Sequence, residues 1–589
     1  GLVWDHDRLY LVHPPHLSEF IDADHDGVAE KQNILVKDIA FGYKDRPADH
    51  TTNGLSLGID GWLYIAGGDF GFMKATGTDG KTLQHRGGGV IRVRPDGSGL
   101  EIYSTGTRNI LEVAISPLMD IFARDNTNDG GGWNVRFHHF TGLDDHGYPR
   151  LYKNFNDECI QPLADYGGGS GCGAVYIDEP GFGTWNNAPF TCDWGSGALW
   201  HHQVKPKGAT FEETRKPEPF IKMTRPTDAD VDGMSRVYCA SWKGATFDWA
   251  GPDVGYIVQV KPKGFKAEPL PDFAKAKDEE LVKVLESASN RRRMEAQREI
   301  KRRDGDSAHM ENSQTLLKMA ADPAKPLSSR AAALLGSFTS PSRGVTRTWR
   351  MAVTSLVRDD KLGAMAARSL TQERLPWSQL RTVSEMADSS QPQTRLAATA
   401  LALYGQRIGG LQGRPESTAE VGYGMSDAEL KEERPRMADA IAKLSRDHDS
   451  TVAHAAIQTL RFLEEAAPCF SHLDKGSLAI LHALKGMHTP EVVTGLIERL
   501  GKATDPALRQ GILAALCRLH FKEGEWKGDS WGTRPDTRGP YYQPEAWGET
   551  PKIAVALKGA LAKASPEEAA FLVKELNRNR IQFNEAQQR

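Results

Sequence analysis

Arg108 and Asn109 follow a glycine turn, Gly106-Thr107, and precede a short apolar run that ends in Ala123-Arg124-Asp125-Asn126-Thr127-Asn128-Asp129 and three glycines. A guanidinium beside an amide offers donors to an anion or a carbonyl, and a loop dense in carboxylate and amide oxygens offers ligands to a hard cation. A second oxygen-rich loop, Asp22-Ala23-Asp24-His25-Asp26-Gly27, has oxygens at its first, third and fifth positions, glycine at the sixth and Glu30 at the ninth. That is the opening of a calcium loop, although Asn33 stands where a complete EF-hand has an acid. Calcium and a solvated acidic turn are the two readings. Asp228-Ala229-Asp230-Val231-Asp232-Gly233 shows the same letters with Arg236 at its ninth position, and reads as a turn. His50, in Asp49-His50-Thr51-Thr52-Asn53-Gly54, could serve as a general base because an imidazole titrates near neutrality; a lone histidine is more often structural.

These residues sit among repeated strands. One pattern occurs five times: Arg8–Val12, Trp62–Ala66, Met119–Ala123, Ala188–Cys192 and Arg236–Ala240. Their centres, Tyr10, Tyr64, Ile121, Phe190 and Tyr238, lie 54, 57, 69 and 48 residues apart, which suits one four-stranded blade per repeat. Short strands with glycine-rich turns and no helical periodicity predict a β-propeller over residues 1–265. Such rings close, so six blades would need one more, upstream of Gly1. A polar or aromatic residue follows each strand, namely His13, Asp69, Asp125, Asp193 and Trp242, and in a propeller these gather near the channel mouth.

After a linker at 266–277 the composition turns to Ala, Leu, Arg, Lys and Glu. Val452, Ala455, Ala456, Thr459, Leu460 and Leu463 form one helical face, and similar helices open at Leu327, Gln393 and Asp505. Recurring helix pairs predict an α-solenoid of HEAT-like repeats over 278–589, with loop insertions near 406–436 and 524–550. The second insertion is rich in aromatics, including Trp526, Tyr541, Tyr542 and Trp547; the alternatives are a partner or glycan contact and simple packing on the solenoid.

The net charge of −4 on 589 residues excludes a general pull towards nucleic acid or anionic membrane, and no apolar run is long enough to span a bilayer. The chain begins at Gly1 without a signal peptide, and a processed or truncated product is expected. Six cysteines include no C-x-x-C pair and no C-x-x-C-H haem attachment. Pairing of Cys159 with Cys172 and Cys192 with Cys239, as in an exported protein, and ordinary buried thiols are the alternatives.

The run Asp49-His50-Thr51-Thr52-Asn53-Gly54 through Trp62-Leu63-Tyr64 to Asp69, followed by Gly106-Thr107-Arg108-Asn109 and Asp125 to Asp129, resembles the soluble quinoprotein glucose and sorbosone dehydrogenases. Those are six-bladed propellers that bind pyrroloquinoline quinone (PQQ) and calcium at the channel mouth. The order of propeller and HEAT-like repeats is similar to dehydrogenase-like proteins of planctomycetes and verrucomicrobia, many of which end in a cytochrome c module. The resemblance implies a catalytic role for His50 as the base on a sugar or alcohol hydroxyl, with Arg108, Asn109 and Arg225 on the cofactor and Asp125, Asn126 and Asp129 around calcium. It also implies an exported, periplasmic or extracellular protein with a cytochrome c or other electron acceptor, and a protein partner on the solenoid. No lysine stands near Asp193-Trp194, where the family has one, and Asp165 to Cys172 is mostly glycine where aromatic contacts are expected. Two further readings stay open: a non-catalytic propeller and solenoid that binds or scaffolds, and a calcium-dependent lactonase-like hydrolase.

Overall fold

The computed structural model describes residues 1–46, 50–128, 133–244, 251–303, 308–337, 347–371, 380–410, 427–529, 535 and 537–583. Among the described residues, five antiparallel blade sheets follow one another along the first part of the chain, with a separate two-stranded hairpin inserted within the fourth. The five repeated segments predicted above become Arg8–His13, Leu63–Gly67, Ile121–Asn128, Ala188–Asp193 and Val237–Ser241, each the second strand of its sheet. The first four sheets each carry four propeller strands; the fifth has three, Pro226–Val231, Val237–Ser241 and Tyr256–Val260. This is a β-propeller of five described blades.

Alternation along the second strands explains how the blades hold together. Leu63 and Ile65 join Tyr10, Val12, Leu17 and Leu55 in the seam between blades 1 and 2. Tyr64 and Ala66, pointing the other way, join Ile121 and Ala123 in the seam between blades 2 and 3. Phe122, one residue out of phase, packs with Phe137 and Ala174 against blade 4, and Phe190 and Cys192 pack with Val237 and Cys239 between blades 4 and 5. A strand buried on both faces needs apolar side chains at every position, and that is why these segments read as near-continuous apolar runs.

Two hairpins leave the simple repeat. Phe72–Gly77 and Thr82–His85 arise within blade 2 but pair with the outer strand of blade 1, Val36 against Gly77, and Phe72 is buried in the seam between them. Val204–Lys207 and Thr210–Glu213 arise within blade 4, and Val204 and Phe211 pack on the cluster around Phe122.

The described helices after Asp278 stack as hairpins in which each helix packs on its partner and on the next helix but one. Asn290–Arg302 lies on Leu327–Gly336, which lies on Gly363–Leu370; further on, Ser450–Leu463, Leu481–Leu484, Pro506–Leu519 and Pro566–Arg578 make the same succession. Nearest-neighbour stacking of this kind is a helical solenoid. Side-chain caps start the helices where an acidic or hydroxyl residue was expected: Asp449 accepts from Thr451 N and Val452 N, and Asp505 from Leu508 N. The segment 406–436, expected as a loop, is helical at both ends, in Pro392–Gly410 and Asp427–Ala442, and its middle lies outside the described residues. In the aromatic insertion, Trp547 donates to Leu519 O at 2.8 Å and Tyr541 to Arg518 O at 2.7 Å, so these rings pack on the helices beneath them.

The chain divides into two compact units. The first comprises Gly1–His146, Gln161–Glu373 and Gly532–Arg534, and the second Gly147–Ile160, Arg374–Trp531 and Pro535–Arg589. The first helices therefore belong with the propeller. Helix Asn290–Arg302 is attached to it at its N-terminus, where Asn290 N donates to Asp178 O at 2.9 Å and Arg291 N to the Glu179 carboxylate at 2.8 Å. Burial pushes the Glu179 carboxyl up from 4.5 to about 7, against the opposing pull of Ser289, Arg291 and Arg293. Below pH 4.5 both folded and unfolded chains hold this proton. Between 4.5 and about 7 only the unfolded chain ionises, so the folded state loses stability as pH rises through that window, by about 3 kcal/mol at most. Glu179→Gln is expected to flatten that fall, as read from urea midpoints at pH 4.5 and pH 7.

All six cysteines are free thiols; Cys192 and Cys239 are neighbours in the seam between blades 4 and 5, while Cys159 and Cys172 lie in different units.

Candidate active site at the propeller mouth

His50 opens blade 2 in a left-handed backbone conformation, φ 61°, and is buried. Gly68, at the end of the second strand, passes so close that a Cβ there would stand 2.3 Å from His50 O, so only glycine allows this approach. The next residue, Asp69, consequently meets the imidazole: His50 Nδ1 and Asp69 Oδ1 are 2.5 Å apart. With Nδ1–H donated to the carboxylate, Nε2 carries the lone pair, and Arg108 NH2 donates to it across 3.2 Å. Arg108 is fully buried, and its NH1 donates to Asn126 O at 2.7 Å. An isolated β-bridge between Gly68 and Asn109 holds the two segments side by side.

Asp125 fixes the Arg108–Asn109 turn from below. Its carboxylate accepts from Arg108 N at 3.0 and 3.1 Å and from Asn109 N at 2.9 Å. Burial raises the Asp125 carboxyl above the usual range, and the two backbone amides and the Arg108 charge work against that rise. Asp69 shifts in the same direction for the same reason, opposed first by its bond to His50.

Further round the mouth the blades are tied in sequence. Asn126 Nδ2 donates to Ser170 Oγ at 3.2 Å, and Ser170 N to Asp193 Oδ1 at 3.0 Å. Arg124 reaches the other oxygen of Asp193 at 2.7 Å. Trp194 meets Trp242 at a tilt, ring centres 5.8 Å apart and planes at 46°, and the Arg225 guanidinium lies 4.8 Å from the Trp194 ring. Arg225 also has a positive φ, 45°, a strained conformation for a residue with a side chain. The structure thus brings His50, Arg108, Asn109, Asp125 and Asn126 into one group, and sets Arg225 at the far end of a belt that starts from it. Asp129 lies outside the described residues.

Of the five residues expected to gather at the mouth, three serve as anchors: Asp69 on His50, Asp125 on two amides, and Asp193 on Ser170, Ser196 and Arg124; His13 instead meets Ser18 of its own blade at 2.8 Å. Sequence reasoning had Asp69 within its motif without giving it a role. Its position directly after a glycine pair, 19 residues beyond His50, was the available signal. The roles of Arg124 and Ser170 were not foreseen, because they depend on which blades meet.

Asp22, Asp24, Asp26 and Glu30 bring one carboxylate oxygen each within 4.8 Å of one another. Asp26 N and Gly27 N donate to Asp22, Ala23 N to Glu30, and Val28 N to Asp26, so the turn is wound around its own acids. Asn33 instead donates to Glu19 at 2.7 Å. The second such loop is a blade turn: Asp232 binds Arg236 at 2.6 Å and Asp230 pairs with Arg291.

Two buried atoms near the mouth, Asn126 Oδ1 and Trp194 Nε1, have no hydrogen-bond partner among the described residues. Buried polar atoms are normally satisfied, so an acceptor and a donor at these places suit a bound group that supplies the counterparts. Asn126 Oδ1 is thus an open acceptor and Trp194 Nε1 an open donor, with the Arg225 guanidinium beside the Trp194 ring.

Among solved structures, an oxidoreductase of Thermus thermophilus described as a glucose dehydrogenase aligns at 12% identity over 43% of this chain and 92% of that one, with a TM-score of 0.28. Two further structures titled glucose dehydrogenase align at 15% and 16% identity over 43% of this chain and 78% of each, with TM-scores of 0.31 and 0.32. No curated protein matches the sequence. The profile of a family described as a domain of unknown function, DUF7133, matches residues 1–233, the part that carries His50, Asp69, Arg108 and Asp125.

Proposed function

We propose that the propeller is an oxidoreductase acting on a hydroxyl of a sugar or related alcohol, with His50 as the base. The observation that carries this reading is the buried Asp69–His50–Arg108 group. Asp69 fixes the imidazole so that Nε2 points its lone pair away from the carboxylate, and a carboxylate so placed stabilises the imidazolium that forms when Nε2 takes a proton. Arg108 NH2 holds the position at Nε2 that a substrate hydroxyl would occupy. Once displaced from Nε2, its N–H lies beside the oxygen that gives up the proton and stabilises the charge developing there. Asp125 keeps the turn that carries Arg108 and Asn109 in register, through three contacts to backbone amides.

PQQ and calcium belong to the same reading. When bound, the quinone would accept the hydride from the substrate carbon; Asn109, Arg225 and Trp194 are the residues that would hold it, and Asn126 with Asp129 would hold the adjacent calcium. The loop Asp22–Asp24–Asp26–Glu30 takes a second calcium in this account. An exported location, with a cytochrome c or similar acceptor and a partner on the solenoid, completes it.

The test is reduction of an electron-accepting dye by the purified protein supplied with PQQ and calcium, across a panel of sugars and alcohols. Turnover that needs both additions supports the reading; no turnover and no quinone spectral change favours the binding or scaffold alternative. For the acidic loop, calcium at about 100 times its dissociation constant is expected to stabilise the fold by about 2.7 kcal/mol. Chelation should reverse this, and Asp24→Asn with Asp26→Asn should abolish the response in a thermal melt.

A further inference from the structure

The second unit contains a cavity of about 270 Å³ whose lining includes Leu478, Leu481 and Ala514 together with Glu158, Lys485, Arg518, Arg578 and Asn579. Glu158 comes from Gly147–Ile160, the excursion between the last two strands of blade 3 that belongs to this unit. Its carboxylate is buried and meets Lys485 at 2.9 Å, with Arg461 and Arg518 each at 3.5 Å. Arg578 pairs with Asp157 at 3.0 Å and Glu575 at 3.1 Å, and its guanidinium stands 4.0 Å from the Phe155 ring.

Arg518 Nε and Glu158 Oε2 face each other as an ion pair at 3.5 Å. Two further buried polar atoms of lining residues have no hydrogen-bond partner among the described residues, the donor Arg578 Nε and the acceptor Asn579 Oδ1. Buried groups of this kind are rarely left unsatisfied, and here one of each kind belongs to the lining of one cavity. Around the cavity three cations, Lys485, Arg518 and Arg578, face three acids, Asp157, Glu158 and Glu575. His482 also lines it; burial, with Lys485 beside it, lowers its imidazole to about 4, so the ring is neutral at pH 7.

We propose that this cavity is a binding site for a small, neutral, hydroxyl-rich ligand of about one sugar ring. An anion brings chiefly acceptors and a negative charge that would stand against Asp157, Glu158 and Glu575. A cation brings chiefly donors and a positive charge that would stand against Lys485, Arg518 and Arg578. Hydroxyls donate and accept at once, and so satisfy both kinds of open atom without adding charge. The apolar members of the lining suit the C–H face of a ring, and the volume lies just below the roughly 300–1,000 Å³ found for ligand pockets. The proposal does not rest on the reading of His50.

The experiment is calorimetric titration of the full chain with D-glucose, D-galactose and myo-inositol, and in parallel with inorganic phosphate and ethanolamine. At least one of the neutral ligands is expected to bind saturably, and the two ions are not. Ala514→Leu, which pushes a larger side chain into the space, should weaken that binding by about tenfold or more. Asn579→Ala removes one open acceptor and repeats the test if the first variant does not fold. His50→Asn should leave this binding unchanged. Binding of phosphate or ethanolamine alone, or no binding at all, as for a void that holds only water, overturns the proposal. So does sugar binding that survives Ala514→Leu and Asn579→Ala but is lost in His50→Asn, which would assign the signal to the propeller.

Discussion

His50→Asn is expected to lower the rate of substrate oxidation by about 10²- to 10⁴-fold, the usual contribution of a positioned general base. Asparagine tolerates the left-handed backbone at this position and its amide can still donate to Asp69 from the place of Nδ1, so the change removes the base while keeping that contact. Asp69→Asn should fall in the same range for a different reason. An amide can donate to Nδ1 and thereby favour the tautomer whose proton sits on Nε2, leaving no lone pair for the substrate. The two variants are distinguished by pH. Without its carboxylate partner the imidazole is easier to deprotonate, so whatever activity Asp69→Asn retains should persist to lower pH, whereas His50→Asn should show no such limb.

The largest expected effect on stability lies in the other unit. Glu158 is the shared anion of Arg461, Lys485 and Arg518, and those cations hold its carboxyl well below the usual range although burial alone would raise it. A carboxylate whose folded pKa is depressed stabilises the fold above the unfolded value and loses that contribution as pH falls below it, so acid should loosen this unit first. Glu158→Ala leaves three buried cations without their anion and is expected to cost about 3–5 kcal/mol. Glu158→Gln, which keeps the shape and two hydrogen-bonding groups, should cost less. Far-ultraviolet dichroism during urea unfolding reads this directly, because the unit is largely helical.

Much of the fold was legible in the sequence because a propeller strand buried on both faces leaves a strong local trace. Leu63-Tyr64-Ile65-Ala66 and Ile121-Phe122-Ala123 are apolar at every position, and each proved to be the second strand of its blade. The helices were legible through their period and their caps, as at Asp449 and Asp505. Departures came where chain order and spatial order part. The hairpin Phe72–His85 follows a blade 2 strand in sequence yet extends the sheet of blade 1, and residues 147–160 interrupt blade 3 but pack with the helices of the second unit. Nothing local to either segment encodes that choice. Residues 406–436 read as a loop for their glycine, glutamate and proline, and helix formed at both ends regardless, with Pro435 inside the second helix.

The site was half legible. The motifs named His50, Arg108, Asn109 and Asp125, and the structure groups them. Asp69 as the partner of His50 follows from the close pass at Gly68, a tertiary feature. Asp125 was expected to face a cation; its carboxylate instead accepts the amides of Arg108 and Asn109, and Asn126 Oδ1 is the acceptor left open.

The central claim is that His50, oriented by Asp69, takes a proton from a sugar or alcohol hydroxyl at the propeller mouth. Dye reduction by the wild-type chain and by His50→Asn, each with PQQ and calcium and each at saturating substrate, tests it most directly. The account predicts turnover in the wild type that falls by at least about 10²-fold in the variant, with equal unfolding midpoints. Equal turnover in the two proteins, or none in the wild type, would contradict it.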